Sequence, residues 1–432
     1  MSLHSKYGPL VRIAPNEVSI ADLPAIKQIY GSGSRFRKSD WYSVWQGHRK
    51  FDLFAGRDEK VHGQQRKLVA RAYAMETLKD LEPYVDDAIE VFMRKMREQI
   101  PGRIDMSKWA QLFAFDVIGE VTFSKSFGFM ENSKDDGTFA AIGRAARSGS
   151  WLGQVSWLFW LHDALMPYIG NHLGVNNRHG GLRNFALRET ASRKERPSAK
   201  KDIVGRLFQT SAEKPGEMDY NDVVSMATSN ITAGSDTTGI SMRAIIYFLL
   251  KNPEAKRRLI EEIDQRRRKG ELSDPVSWNE ANKMKYLQAC MHEALRLHPA
   301  VGVNLPRVVP PGGTEIHGHY FPAGSIVGVN AWVVHRNKEV YGEDAEEFRP
   351  ERRLKEDIGD MQRSFFSFGA GSRSCIGRNI SWLEMSKLIP TLFLRYDVAL
   401  ADPYAEWSEH CQFFVHQTNF DVKLTPRKHP AT

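Results

Sequence analysis

The stretch Phe368-Gly-Ala-Gly-Ser-Arg-Ser-Cys375-Ile-Gly377 constrains this chain more than any other, because it puts one cysteine in a glycine-rich loop just ahead of a helix. Gly369, Gly371 and Gly377 permit backbone conformations and close approaches that a side chain forbids. The apolar, weakly interrupted run from Asn379 to Leu394 reads as a helix starting just beyond the cysteine. Backbone N–H groups and the positive end of that helix then aim at the sulfur of Cys375, and both favour thiolate over thiol. A loop of this kind suits a metal-bound thiolate, since coordination deprotonates a cysteine outright. The ordinary alternative for a lone cysteine is a buried structural side chain in a turn.

The pattern Phe-x-x-Gly-x-Arg-x-Cys-x-Gly, occupied from Phe368 to Gly377, resembles the haem-binding loop of the cytochrome P-450 superfamily of haem-thiolate monooxygenases. The resemblance implies Cys375 as the axial ligand to the iron of haem b. It implies Phe368 packed over the sulfur, Gly369 and Gly377 shaping the loop against the cofactor, and Arg373 paired with a haem propionate.

A second stretch, Ala233-Gly-Ser-Asp-Thr-Thr238, lies inside the longest helical run, Asp219 to Leu250. Asp219 or Asn221 caps its start and Asn252-Pro253 stops it, so it spans on the order of 45 Å. Gly, Ser and Thr in its middle are weak helix formers and predict a local break in the ladder. Ala233 and Thr237 share a face one turn apart. This stretch resembles the family's oxygen-activation motif. The likeness implies that Ala233 lies against the cofactor, that Gly234 leaves room for dioxygen, and that Asp236 and Thr237 deliver protons.

Glu293 and Arg296, three residues apart on one helical face, are alone an ordinary ion pair. They match the family's Glu-x-x-Arg, and Phe348-Arg-Pro-Glu-Arg352 matches its later Pro-Glu-Arg element. The match implies a buried triad of Glu293, Arg296 and Arg352 that holds the cysteine loop. The likeness also carries Arg66 and Arg307 to the propionates. His62 stands where the family has tryptophan, and its ring N–H can replace the indole donor.

Helical periodicity dominates elsewhere, with Leu78 to Ile100 the clearest early run. Strand signals are short: Pro9 to Ile20 as a small hairpin, Ile316 to Val329 with its turn residues, and Phe413 to Leu424 as a closing hairpin. The fold class is mainly α with a small β region, which the resemblance sharpens to the cytochrome P-450 fold with its long central helix over the haem. No Pro-rich or Gly/Ser-rich linker divides residues 1–432, which read as a single domain. Three cysteines are too few for a disulfide framework and fit a reducing compartment. No run reaches the eighteen or so near-continuous apolar residues of a spanning helix. The opening, Lys6-Tyr-Gly-Pro, resembles the segment just after the membrane anchor in eukaryotic members, so an anchor is expected to be absent from this chain.

The net charge of +8 comes without nucleic-acid-reading motifs, so no nucleic-acid partner is expected. A basic surface suits docking of an acidic electron donor. By resemblance the chain is a eukaryotic microsomal monooxygenase, similar to fungal members of the pisatin-demethylase type. It would activate dioxygen to hydroxylate or otherwise oxidise a hydrophobic small molecule in fungal secondary metabolism or detoxification. NADPH would supply electrons through a cytochrome reductase, with cytochrome b5 as a second donor. The full-length form would sit on the cytosolic face of the endoplasmic reticulum membrane. The alternative is a haem-thiolate enzyme for oxidative coupling, rearrangement or dehydration without net oxygen insertion. Substrate walls are expected from Trp41 to Leu53, Trp151 to Trp160, Met226 to Ile231, Val301 to Leu305 and Phe413 to His416. The aromatic cluster at Trp157 to Leu161 has a second reading as a lip touching a membrane.

Overall fold

The computed structural model describes residues 2–170, 172, 182–196 and 200–427. Its axis is the central helix Tyr220–Lys251. Asp219 caps it through a reciprocal box: Asp222 N–H donates to Asp219 Oδ1 at 3.0 Å, and Asp219 N–H donates to Asp222 Oδ2 at 2.9 Å. The helix ends at Asn252, where the next helix begins at Pro253.

The break expected at its middle does not occur, and the helix runs continuously through Gly234 and Gly239. The polar residues satisfy themselves on the helix. Thr228, Thr232, Ser235, Thr237 and Ser241 each donate their hydroxyl to the carbonyl four residues back, at 2.7–3.0 Å.

Helix Met106–Phe123 packs along the central helix and is buried on nearly every side. The glycines explain the closeness of the two. A Cβ on Gly234 would sit 2.8 Å from Ile118 Cδ1, and one on Gly239 would sit 3.2 Å from the Gln111 backbone. Gly234 therefore makes room for Ile118.

The helix after the cysteine loop, Arg378–Arg395, packs on the central helix and on helix Lys285–Leu297. Early in the chain, Glu82–Gln99 is the long helix. It starts later than the periodicity of Leu78 predicts, because Lys79–Leu81 forms a 3-10 turn ahead of Pro83. One contiguous apolar core takes side chains from Phe51 to Leu424.

The strands form small sheets at the periphery. The largest has five strands in the order Leu10–Ala14, Glu17–Ile20, Ile326–Val329, Arg307–Val308, Arg37–Lys38. Its last pair places Lys38 directly opposite Arg307. The expected closing hairpin from Phe413 to Leu424 is divided. Val415–Thr418 pairs back onto Ser408–Cys411, while Asp421–Pro426 pairs with Tyr396–Leu400. Asn419, at φ +61°, turns the chain between the two. Among the described residues no helix is long and apolar enough to cross a membrane.

Candidate active site

Cys375 sits where the loop meets the helix Arg378–Arg395. Its N–H donates to the Phe368 carbonyl at 2.8 Å, closing the loop. Gly371 makes the turn possible: its φ is +59°, and a Cβ there would lie 2.1 Å from the Tyr30 carbonyl oxygen. Cys375 is exposed as a residue, yet its thiol lies deep in the fold. Burial raises the Cys375 thiol above its ordinary value, while backbone N–H groups of Gly377 and Arg378 and the charge of Arg66 act the other way. Phe368 packs beside Trp382 and under the Arg378 guanidinium.

Arg66, on helix Glu59–Val69, donates to the Ser374 carbonyl at 2.9 Å and so fastens the residue before the cysteine. From the same helix, Glu59 accepts two bonds from Arg373, Nε at 2.9 Å and Nη2 at 2.8 Å. Arg373 Nη1 is buried without a partner, and so is His62 Nε2. Arg307 donates Nη1 to the Tyr42 hydroxyl and the Pro306 carbonyl, both at 3.1 Å, and lies over the Tyr30 ring.

Lys38 belongs with these cations, and nothing in the sequence marks it, since Arg35-Phe-Arg-Lys38 reads as a solvated basic run. It is 5% exposed, donates to the Phe54 carbonyl, and lies 4.3 Å from the centre of the Tyr42 ring. Burial and then the charges of Arg307 and Arg373 drive Lys38 well below its ordinary range. Burial and then Arg373, Lys38, Arg66 and Arg307 push His62 down to about 3. Buried positive charge concentrated at one sheet edge and one helix calls for an anion.

On the central helix, the Thr237 hydroxyl is spent on the Ala233 carbonyl, and Ala233 is exposed in the middle of an otherwise buried helix. Asp236 is buried, and Gln111 Nε2 donates to its Oδ1 at 2.6 Å. Burial pushes the Asp236 carboxyl up to about 6, opposed by the charge of Arg243 and the Gln111 bond.

Glu293, Arg296 and Arg352 come together in the interior. Arg296 donates Nε and Nη2 to the two oxygens of Glu293 at 2.9 and 2.8 Å, and Arg352 Nε donates to Glu293 Oε1 at 2.7 Å. The arginines also hold carbonyls of the next loop: Arg296 those of His335 and Ala345, Arg352 that of Asp344. His335 then bonds the start of the cysteine loop, taking the Phe366 N–H on Nε2 at 2.8 Å. Sequence reasoning missed His335 as well, for it matches no motif.

Of the expected substrate walls, Trp41 stacks on Phe413, and Trp45, Phe54 and Phe414 complete an aromatic cluster with Val301 and Ile240. Met226 and Ile231 lie in the main core. A cavity of about 340 Å³ is lined by Trp41, Gln154, Val303, Asn304 and residues of the first hairpin. The cluster at Trp157 to Leu161 splits: Phe159 is buried, while Trp157 (66%), Leu161, Leu165 and Tyr168 are exposed on helix Ser156–Ile169.

The sequence model of the family described as Cytochrome P450 matches residues 1–424. The chain is 42% identical to the cytochrome P450 monooxygenase hepC of Aspergillus oryzae over 430 residues, 96% of this chain and 84% of that protein. It is 39% identical to the cytochrome P450 monooxygenase gsfF of Penicillium aethiopicum over 444 residues, covering 98% and 87%. It is 36% identical to the pisatin demethylase of Fusarium vanettenii over 437 residues, covering 99% and 85%. With a family match spanning nearly its whole length and relatives that are fungal monooxygenases, this chain belongs to the cytochrome P450 family and is an oxidoreductase of the monooxygenase class.

Proposed function

We propose that this single-domain enzyme uses dioxygen and NADPH-derived electrons to hydroxylate or otherwise oxidise an apolar, aromatic-sized organic molecule. One observation carries the reading: Cys375 stands accessible in a loop closed by its N–H on the Phe368 carbonyl, with Arg66 bonded to the Ser374 carbonyl just before it.

The residues fit an iron porphyrin. Two buried polar atoms without partners, His62 Nε2 and Arg373 Nη1, lie among cations that outnumber their acidic partners. Arg307 and Lys38, opposite each other in register, add two more charges suited to propionates. When bound, the haem supplies oxygen activation, with the thiolate donating electron density that favours O–O cleavage. The rest falls to the chain. Gly371 and the Arg66 bond hold the sulfur in one position. Asp236, whose carboxyl burial pushes up to about 6, would take and give protons, and the neighbouring Thr237 hydroxyl would pass them on. The Trp41–Phe413 cluster offers flat, apolar walls to the substrate. An oxygen-independent rearrangement has little use for this acid and hydroxyl.

Electrons come from an NADPH-cytochrome reductase that docks on the basic surface, with cytochrome b5 as a second donor. The exposed stripe of Trp157, Leu161 and Leu165 supports contact with a membrane surface, as expected of a protein at the endoplasmic reticulum. Carbon monoxide added to the dithionite-reduced protein tests the reading. A strongly red-shifted Soret band supports thiolate ligation, and a band at the histidine-ligated position, or none after haem reconstitution, rejects it.

A further inference from the structure

Asp236 is 2% exposed, so an acid that must be reprotonated at every turnover is closed to bulk solvent. Its two oxygens have different surroundings. Oδ1 accepts from Gln111 Nε2 at 2.6 Å, and Gln111 Oε1 in turn accepts from Arg243 Nη2 at 3.1 Å. Oδ2 faces the imidazole of His416, with Nε2 at 3.7 Å, and that side chain keeps 25% of its surface exposed. His416 thus lies between a sealed acid and solvent-accessible space. It reaches Asp236 from the strand Val415–Thr418, whose neighbour Gln417 is tied to the Ile240 carbonyl at 3.1 Å. The strand is therefore fixed against the central helix one turn beyond the acid.

We propose that His416 is the relay that feeds protons to Asp236, while Gln111 and Arg243 hold the carboxylate in place; this rests on the reading of Asp236 and Thr237 as the proton-delivery pair. In the transfer, a hydronium ion gives its proton to Nδ1 and leaves as water while the Nε2–H bond breaks and the Asp236 Oδ2–H bond forms, so the ring stays neutral throughout. Exchange of the ring protons with water then restores the first tautomer. No electrons change hands. Closing 3.7 Å to hydrogen-bond length needs a side-chain movement of about 1 Å.

The electrostatics suit a neutral carrier. His416 faces Asp236 and Arg243 from the central helix, His410 from the paired strand, and His298 from helix Lys285–Leu297 and its cap. Burial, then Arg243, His410 and His298, lower His416 to about 4, so no resident positive charge competes with Arg243. His298 is itself engaged by Glu409 at 3.2 Å and the Val415 carbonyl at 3.1 Å, which leaves His416 as the group turned to the acid.

The test uses the haem-loaded chain with NADPH and a cytochrome reductase, without added substrate, so that oxygen consumption, peroxide per NADPH and the solvent deuterium isotope effect are read directly. His416→Phe should slow oxygen consumption about tenfold and raise the isotope effect, less than the hundredfold or more that losing the acid itself costs. His416→Gln, which keeps a polar N–H donor but cannot relay a proton, should behave like the phenylalanine variant. Asp236→Asn, run alongside, should show the larger loss. A separate readout is the infrared band of the protonated Asp236 carboxyl, assigned by its absence in Asp236→Asn. Its midpoint should stay close to wild type in His416→Phe, because His416 stands 3.7 Å away and the Gln111 bond and the Arg243 charge that act on the carboxylate remain, so a slowed rate there reports lost relay and not a shifted acid. Wild-type rates in both His416 variants with a slowed Asp236→Asn would overturn the relay and leave the proton-delivery reading standing. Full rates in His416→Gln alone would reduce His416 to a positioning residue and also overturn the relay. An unaffected Asp236→Asn would overturn both.

Discussion

Phe366 donates its backbone N–H to His335 Nε2 at 2.8 Å, and the same imidazole is linked through Nδ1 to the Arg296 carbonyl at 2.9 Å. The two partners fix the tautomer: Nε2 must be the bare nitrogen and Nδ1 must carry the proton. His335 thus joins the Glu293–Arg296–Arg352 cluster to the first residues of the cysteine loop. Replacing it with alanine leaves the Phe366 N–H buried and unpartnered, at a cost of about 1–3 kcal/mol. Thermal unfolding should show the loss, and haem should leave His335→Ala faster than wild type; equal retention would mean the loop needs no such tether.

The same arrangement sets an acid limb on stability. Burial, chiefly, pushes His335 down to about 3, whereas in the unfolded chain it titrates near the ordinary value of 6.5. Between those values the unfolded state binds the extra proton, so stability must rise with pH across that window and be fully present above it. His335→Gln, neutral at all pH, should flatten the denaturation midpoint between about pH 3 and 6.5. An unchanged slope would assign the acid limb to other groups, His292 among them, which burial likewise lowers to about 3.

What the sequence made legible divides along physical lines. The central helix and its Asp219 cap, the cysteine loop and the helix behind it could be read from local signals, namely capping, glycine and periodicity. The continuity of the central helix through its Ser and Thr residues could not, because hydroxyl bonds to the preceding turn offset the weak propensities. Nor could the split of the last hairpin, which depends on partners distant in sequence. In the site, residues that belong to spaced motifs could be found. Lys38, His335 and Gln111 could not, since their roles arise only when separate segments meet.

Glu293 neutralises two buried arginines at once, so its removal exposes an asymmetry: breaking a buried pair costs far more than the pair is worth. Glu293→Gln keeps the shape but leaves Arg296 and Arg352 without their counter-charge, and should lower stability by about 3–5 kcal/mol. Chemical denaturation with matched haem occupancy measures this. A loss below about 1 kcal/mol would show that the carbonyls of His335, Ala345 and Asp344 suffice to hold the arginines.

Lys38 and Arg307 are buried cross-strand partners, and burial together with the Arg307 charge drives Lys38 toward its neutral form until an anion lies between or beside them. Lys38→Met removes the amine beside Arg307 without adding bulk, and with it one donor that the proposed haem propionates would meet. A charge-assisted bond of about 1.5 kcal/mol corresponds to roughly tenfold faster haem release. Transfer of haem to apomyoglobin reads this rate independently of turnover. Unaltered transfer, with Arg307→Met accelerated, would place Lys38 outside the cofactor's contacts.

Thr237 gives its hydroxyl proton to the Ala233 carbonyl at 2.7 Å, so its oxygen is left to accept a proton and, by rotating away, to donate one. Thr237→Ala removes that carrier without disturbing the helix, since alanine is the better helix former and the i−4 carbonyl keeps its backbone bond. Haem content and the carbon monoxide spectrum should stay as in wild type, while the share of NADPH electrons recovered as hydrogen peroxide should rise several-fold. Thr237→Ser, which keeps the hydroxyl and loses only a methyl group, should fall close to wild type. Equal peroxide in all three proteins would move proton delivery away from Thr237 and leave Asp236 to act through another donor.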